Sequence, residues 1–335
     1  MAEKGVKDMI ETLVRSEEIR PDVFIAVANT TANDYLTSVN PEMEVNPAQY
    51  YQLIYQKNQL VGIPDGQLRE FFTGLYTDNY DSILPVAGVI EGSGGNSQND
   101  DKGQSKDGQN EGSEGSSESL DSFESKNSDE NEKEKDAEKN TSKYEYDIKN
   151  YVGGETAIEK KNKAEAIGAA VFEKDKMVGE LGEVETEICK MLKGDYTYSY
   201  LTYYNNDTPD IPITVKTTQQ KKPKYKIDTD KKTVDIELYI ESDLYSLPAD
   251  YNVENKIEDF ERDVANYTSS ACTEFINNFT KKYNSDILKL NEKVKYKFLT
   301  NNQYNWFKKN VGWSEYKFSV CTNFKVRRTG LIVRE

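Results

Sequence analysis

Hydrophobic and polar residues alternate most regularly near the end of the chain. From Tyr316 to Val326 the residues Tyr316, Phe318, Val320, Phe324 and Val326 share one parity, with Thr322 as the polar member of that set, while Lys317, Ser319, Asn323 and Lys325 share the other. A period of two predicts a strand with one face in a core and the other in water. Burying five such side chains contributes about 8 to 15 kcal/mol gross, an upper bound because the unfolded chain is already partly compact. Upstream, between Asn252 and Tyr283, apolar residues recur every three or four positions at Val253, Ile257, Phe260, Val264, Tyr267, Ala271, Phe275 and Phe279. That spacing predicts an amphipathic helix of about 45 Å. Asn252 is placed to cap it, and Glu254, Glu258 and Asp259 sit near the positive end of its dipole. Before the helix Val234, Ile236, Leu238 and Ile240 alternate again, and after it lies a segment around Trp306 and Phe307. Residues 226–335 therefore read as an antiparallel sheet with a long helix packed across it.

Earlier elements are shorter. Gly5 to Val14 carries a helical stripe of Val6, Met9, Ile10, Leu13 and Val14, and Pro21 stops it. Val23 to Val27 predicts a short buried strand. Asn46 and Pro47 start a helix that runs through Tyr51 and Ile54 towards Gln59, a second helix carries Leu68, Phe71, Phe72 and Leu75, and Ser82 to Ile90 reads as a strand interrupted at Pro85. Further on, Ile167–Phe172 and Met177–Leu181 flank the charged turn Glu173, Lys174, Asp175, Lys176 as a hairpin. Glu183–Leu192 is a short helix with Val184, Ile188, Met191 and Leu192 inward, and Ile211–Thr218 and Lys224–Ile227 add strands. The fold class expected is α+β, in several small α/β-type domains: an N-terminal domain over 1–90, a middle α+β region over 144–225 and the C-terminal domain over 226–335.

The stretch 91–143 interrupts this order. Leu120, Phe123 and Ala137 are its apolar residues, and fifteen Asp and Glu against seven Lys give it −8 of the chain's formal −16. A segment of that composition cannot offset its ordering entropy by burial and is expected to be a disordered, self-repelling linker, either a tolerated surface insertion or an acidic interaction tail. Asp100 and Asp101 have no framed ligand loop for calcium around them. The net charge argues against a nucleic-acid partner and predicts repulsion from an anionic membrane, so attachment to one would come from a lipid or a partner protein. No apolar run approaches the roughly 20 residues of a spanning helix. Met1 to Lys7 carries no signal sequence, and taken by itself the chain is expected in the cytoplasm.

Candidate chemistry is sparse. The chain has no histidine, which excludes Ser-His-Asp and Cys-His sites and the usual zinc and iron sites. Cys189, Cys272 and Cys321 have no paired spacing and read as structural. The run Tyr196, Tyr198, Tyr200, Tyr203 and Tyr204 suits half-buried strand positions, and a ligand-stacking role stays open beside that. Glu180, Glu183, Glu185 and Glu187 read as a solvated charged face, with an acid/base pair as the alternative.

The run Gly168, Ala169, Ala170, Val171, Phe172, Glu173, Lys174, Asp175, Lys176, Met177, Val178, Gly179, Glu180, Leu181 resembles the hairpin signature of the Ger(x)C family, the C subunits of spore germinant receptors. The closing Arg327, Arg328, Thr329, Gly330, Leu331, Ile332 is similar to a C-terminal stretch of that family. Arg15, Glu18, Ile19, Arg20, Pro21 and Val23 are similar to a helix-to-strand junction of its first domain, and Trp306 falls where members often carry a Trp. Members begin with a lipoprotein signal, a lipobox cysteine and early strands, which the resemblance leads one to expect ahead of Ala2. Asp286–Leu290 lacks glycines that members commonly have there, and the acidic insertion is not a family feature. The resemblance implies a non-catalytic, lipid-anchored subunit on the outer face of the spore inner membrane. It would act with membrane-embedded A and B subunits, without cofactor, metal or catalytic residue, and Arg327 and Arg328 would present a positive patch to a partner or lipid headgroup. The alternatives are direct binding of a germinant and a carboxylate-dependent cell-wall hydrolase.

Overall fold

A computed structural model describes residues 2–39, 46–55, 62–77, 79–90, 151–153, 155, 164–205, 208–246, 253–283 and 285–329. The expected linker 91–143, the capping Asn252 and the closing Gly330, Leu331 and Ile332 lie outside the described residues.

The first helix, α1 (Lys7–Arg15), matches its stripe, with Ile10 buried. The strand expected at Val23–Val27 is displaced. Residues 23–25 run beside 66–68 through Ile25 N–H to Gly66 O and Leu68 N–H to Val23 O, and the strand proper, β1, is Val27–Ala28. A helix missed in the sequence, α2 (Ala32–Ser38), follows, capped by Thr31, whose hydroxyl accepts the Asp34 N–H. Then come α3 (Pro47–Tyr55), α4 (Leu68–Thr77) and β2 (Ile83–Val89). Pro85 does not end β2; it marks a register shift against the next strand.

The hairpin strands are β3 (Ala164–Glu173) and β4 (Lys176–Leu181), joined through Lys174 in the left-handed region at φ 57°. With β1 and β2 they form a four-stranded sheet in the order β1-β2-β3-β4, parallel at β1–β2 and antiparallel elsewhere. Val6, Ile10, Leu68 and Phe71 cover one face, and Phe71 meets Phe172 edge-on with centroids 5.0 Å apart. Both glycines of the hairpin signature are required where they stand. Gly168 has φ +83° and a Cβ there would lie 2.5 Å from Leu181 O, while a Cβ on Gly179 would overlap the Tyr283 ring.

Helix α5 (Glu183–Lys193) follows β4 directly. Its buried side holds Thr186, Cys189, Lys190, Met191 and Leu192, a set shifted from the purely apolar stripe expected. The second sheet comprises β5 (Tyr198–Asn205), β6 (Thr208–Thr218), β7 (Lys224–Asp228), β8 (Thr233–Ser246) and β9 (Lys317–Arg328). Segment 144–225 thus supplies strands to both sheets. The second sheet is antiparallel except at β8–β9, which pair in parallel from Thr233↔Lys317 to Asp243↔Arg328. A parallel pair needs a crossover, supplied here by α6 (Val253–Tyr283), α7 (Leu290–Val294) and α8 (Asn301–Asn310), so the expected all-antiparallel sheet is corrected at this pair.

Strand β9 buries Phe318, Val320, Thr322 and Phe324 and exposes the alternate positions, as its pattern predicts. Its outer edge is closed by α6. Glu261, Ser269, Thr273 and Asn277 accept the N–H groups of Val326, Thr322, Val320 and Phe318 at 2.8, 2.9, 3.0 and 3.1 Å. Four helical residues rise about 6.0 Å and two strand residues about 6.7 Å, so an antiparallel helix can serve a strand edge rung by rung. Ala265 stands at the remaining step and offers no side-chain oxygen. Both sheets share one core: Ile83, Val171 and Leu181 of the first sheet cluster with Val234, Ile236 and Leu238 of the second through α5 and α6.

Candidate functional site

The residues singled out in the sequence fall in three separate places. Arg327 and Arg328 end β9 and are exposed. Arg327 is engaged: its guanidinium lies 2.9 Å from Glu241 on β8. Exposed pairs of this kind contribute little to stability, so the interaction orients the guanidinium without removing it from the surface.

The tyrosines of the run do not share one surface. Tyr196, just ahead of β5, and Tyr203 within it are buried, Tyr203 edge-on to Phe260 and Tyr267, whereas Tyr198 and Tyr200 are exposed, edge-on to each other, with Tyr245 edge-on to Tyr200 outside. The side chain of Tyr204 lies outside the described ones. Alternation along β5 sets Tyr203 on the face opposite Tyr198 and Tyr200, and no shared pocket can use the whole run.

The carboxylates diverge as well. Glu185 closes the first turn of α5 by accepting the Gly182 N–H at 3.1 Å, Glu183 is exposed, and Glu180 stands on β4, its carboxyl raised by burial and nearby Glu155. Glu187 turns inward, where burial pushes its carboxyl up to about 7 against hydrogen bonds from Ser199 and Tyr196. One turn later Lys190 is buried, donates to the Ile63 carbonyl at 3.0 Å and is pushed down to about 8 by burial, with the Asp65 charge nearby. These groups tie α5 to the loop at 62–66 and do not flank a common cleft.

Sequence reasoning missed a polar cleft of about 310 Å³ between the two sheets' loops. Tyr80 and Asp81 precede β2, Glu173 ends β3 and Lys174 opens the hairpin turn, and Asp286, Asn291, Lys308, Lys309 and Trp313 come from the crossover. Asp81 and Asp286 hold its floor. Asp81 accepts the N–H groups of Lys174 at 3.1 Å and Asp286 at 2.8 Å, and its own N–H donates to Asp286 O at 3.1 Å. The Asp286 carboxylate caps α7, taking the N–H groups of Leu290 and Asn291 at 2.7 and 2.8 Å; burial still pushes it up to about 7. Lys289, at φ 57°, reaches Glu70 at 2.7 Å and lies over the Tyr80 ring. Lys308 donates to Asn79 at 3.1 Å, and Trp313 Nε1 to Asn291 at 3.1 Å. The lining carries both signs of charge and suits a small polar molecule, with no nucleophile beside a base. Contributors spread from Gly74 to Trp313 leave no local pattern to read; the Lys308–Lys309 doublet is the sole hint. Among the described residues no three His, Cys, Asp or Glu side chains converge as a metal site would need, and no helix is long and apolar enough to cross a membrane.

Residues 1–89 match the family model described as the spore germination protein N-terminal domain, and residues 167–330 match that described as spore germination B3/GerAC like, C-terminal. No curated protein sequence matches the chain. Among solved structures, the crystal structure of the GerBC protein is similar over 97% of this chain and 77% of its own, at 13% identity and a TM-score of 0.58, which bears on the fold. With both family models matched in order along most of its length, the chain belongs to the Ger(x)C family of spore germination proteins.

Proposed function

We propose that this chain is the C subunit of a nutrient germinant receptor. It acts without catalysis, beside membrane-embedded A and B subunits on the outer face of the spore inner membrane. The observation that supports the reading best is the match of both terminal domains of one germination family to one chain. The direct test is dipicolinic acid release, across a panel of nutrients, from spores lacking the gene. Loss of release for one nutrient class, restored by the intact gene, is expected; unchanged release for every nutrient discards the reading. Arg327 and Arg328 are proposed as a partner contact, and reversing both charges should weaken receptor assembly. Unchanged assembly would remove them from that role.

A second reading, direct binding of a small nutrient, rests on the mixed-charge cleft between Asp81, Lys174 and Lys309 and no longer on the tyrosines. Bound ligand raises stability by mass action, so titrating amino acids and sugars while following the unfolding midpoint tests it. A midpoint unmoved at millimolar ligand discards it.

A further inference from the structure

Three large apolar side chains stand far out of the surface within eleven residues: Tyr296 is 92% exposed, Leu299 94% and Trp306 64%. The segment that carries them is a 3₁₀ turn (Lys295–Lys297), a short loop and α8. It is pinned from behind by Phe298, which packs against Tyr304 and Phe307 at 5.9 and 5.0 Å between ring centroids. Those inner contacts hold the segment in place whether or not the outer side chains are covered. Folding alone therefore gives no reason for a leucine and two aromatics outside, since Ser or Asn would serve the backbone as well.

The charge of the segment supplies the reason. From Lys293 to Ser314 there are five lysines and no aspartate or glutamate, in a chain whose formal charge is −16. Lys297 and Lys308 are tethered to Ile227 O and Asn79, while Lys295 and Lys309 are exposed on either side of the apolar trio. Glu292 and Glu315 bound the segment, and Glu315 pairs with Lys232. Protruding Leu, Trp and Tyr flanked by Lys are complementary to an anionic bilayer: the apolar groups enter the headgroup boundary, indole and phenol remain at the wet level, and ammonium groups meet lipid phosphates. A protein partner would need a socket shaped for each projecting side chain, whereas a bilayer needs none. The rest of the chain's negative charge does not cancel this attraction, because charges beyond about 8 Å are screened at physiological salt.

We infer that Tyr296, Leu299 and Trp306, with Lys295 and Lys309, form a docking edge for an anionic lipid surface. It amends the expectation that net charge alone would repel the chain from such a membrane, and it holds whichever subunit the chain accompanies.

The full chain, mixed with vesicles of phosphatidylglycerol and phosphatidylcholine in equal parts, tests it by flotation and by tryptophan emission. Trp313 is buried, so the exposed Trp306 reports the contact. Expected are co-flotation at least about tenfold stronger than with phosphatidylcholine alone, a blue shift of emission, and weakening as salt rises. Leu299→Ser should cost about tenfold and Lys295→Glu with Lys309→Glu more, near fivefold per lysine removed. All three positions are exposed, so circular dichroism should show an unchanged fold. Absence of flotation at low salt, equal partition to neutral vesicles, or full binding by both variants overturns the inference; the first outcome would leave a protein partner as the cover for this edge.

Discussion

Asparagine 277 offers the sharpest test of how the terminal strand is held. Its Oδ1 accepts the Phe318 N–H at 3.1 Å, and its Nδ2 donates to Phe318 O at 2.9 Å and to Thr273 O at 2.7 Å. Asn277→Ala removes both bonds to a fully buried residue and leaves its N–H and C=O without partners. Each lost bond costs about 0.5 to 1.5 kcal/mol net, and each orphaned buried group about 1 to 3. Alanine recovers about 0.6 kcal/mol in helix propensity. The expected net loss is about 2 to 4 kcal/mol, where Thr273→Val and Ser269→Ala, each removing one acceptor from the edge, should cost about 1 to 2. Ser319→Ala and Asn323→Ala, on the exposed face of the same strand, should stay within about 0.5 kcal/mol. Urea unfolding followed by far-ultraviolet circular dichroism measures all five. If Asn277→Ala is no worse than Ser319→Ala, the helix does not act as a surrogate strand and the edge of β9 is closed by something else.

The pH dependence of stability follows from Glu187 and Asp286. Each carboxyl is raised to about 7 in the folded state, from 4.5 and 3.8, so stability present below those ordinary values is lost as pH rises through about 7. The Glu187 share is on the order of 3 kcal/mol, and Glu187→Gln should flatten the change in melting temperature between pH 5 and 7.5 by about half; an unaltered slope contradicts the assignment. Lys190→Met keeps the packing volume but removes the donor to the Ile63 carbonyl and a buried cation that lies near the Asp195, Glu187 and Asp65 charges. A loss of about 3 kcal/mol is expected in the same unfolding assay, and one under about 1 shows the cation to be dispensable. Gly168→Ala should cost more than about 2 kcal/mol because its φ is positive and Leu181 O stands 2.5 Å from the new Cβ. Gly179→Ala clashes with Tyr283 instead, so Tyr283→Ala should relieve part of its cost, whereas strict additivity of the two would deny the contact.

What the sequence disclosed was what its own periodicity carries. The alternation from Tyr316 to Val326, the stripe from Ile257 to Phe279 and the hairpin around Lys174 and Asp175 each encode their burial within one element, and each appears in the structure. Partnership between elements is not encoded that way. Val234, Ile236 and Leu238 have the same pattern whether their neighbour runs parallel or antiparallel, and the parallel pairing with β9 depends on a crossover of seventy residues. Polar elements also escaped: α2, of sequence ANDYLTS, has Tyr35 as its buried residue, and Thr31 is its main signal. Of the two tryptophans, the one near a family position, Trp306, is outside, and Trp313, within hydrogen-bonding reach of Asn291, is in the core. The cleft could not be read at all, since Asp81 and Asp286 are 205 residues apart.

That separation explains why the two matched family regions cannot be treated as beads on a string. The first region, 1–89, ends with β2, whose residues are buried nearly throughout because β3, from beyond the insertion, covers one edge of it. Cut at 89, β2 would present that edge to solvent and Phe71 would lose the Phe172 ring against which it packs. The second region, 167–330, would lose Ile83 from the shared core and the Asp81 carboxylate that accepts the Asp286 N–H. Apolar burial joins the sheets on the inside, and Asp81–Asp286, Lys289–Glu70 and Lys308–Asn79 join them at the cleft. Two independent sets of contacts across one junction resist a hinge there.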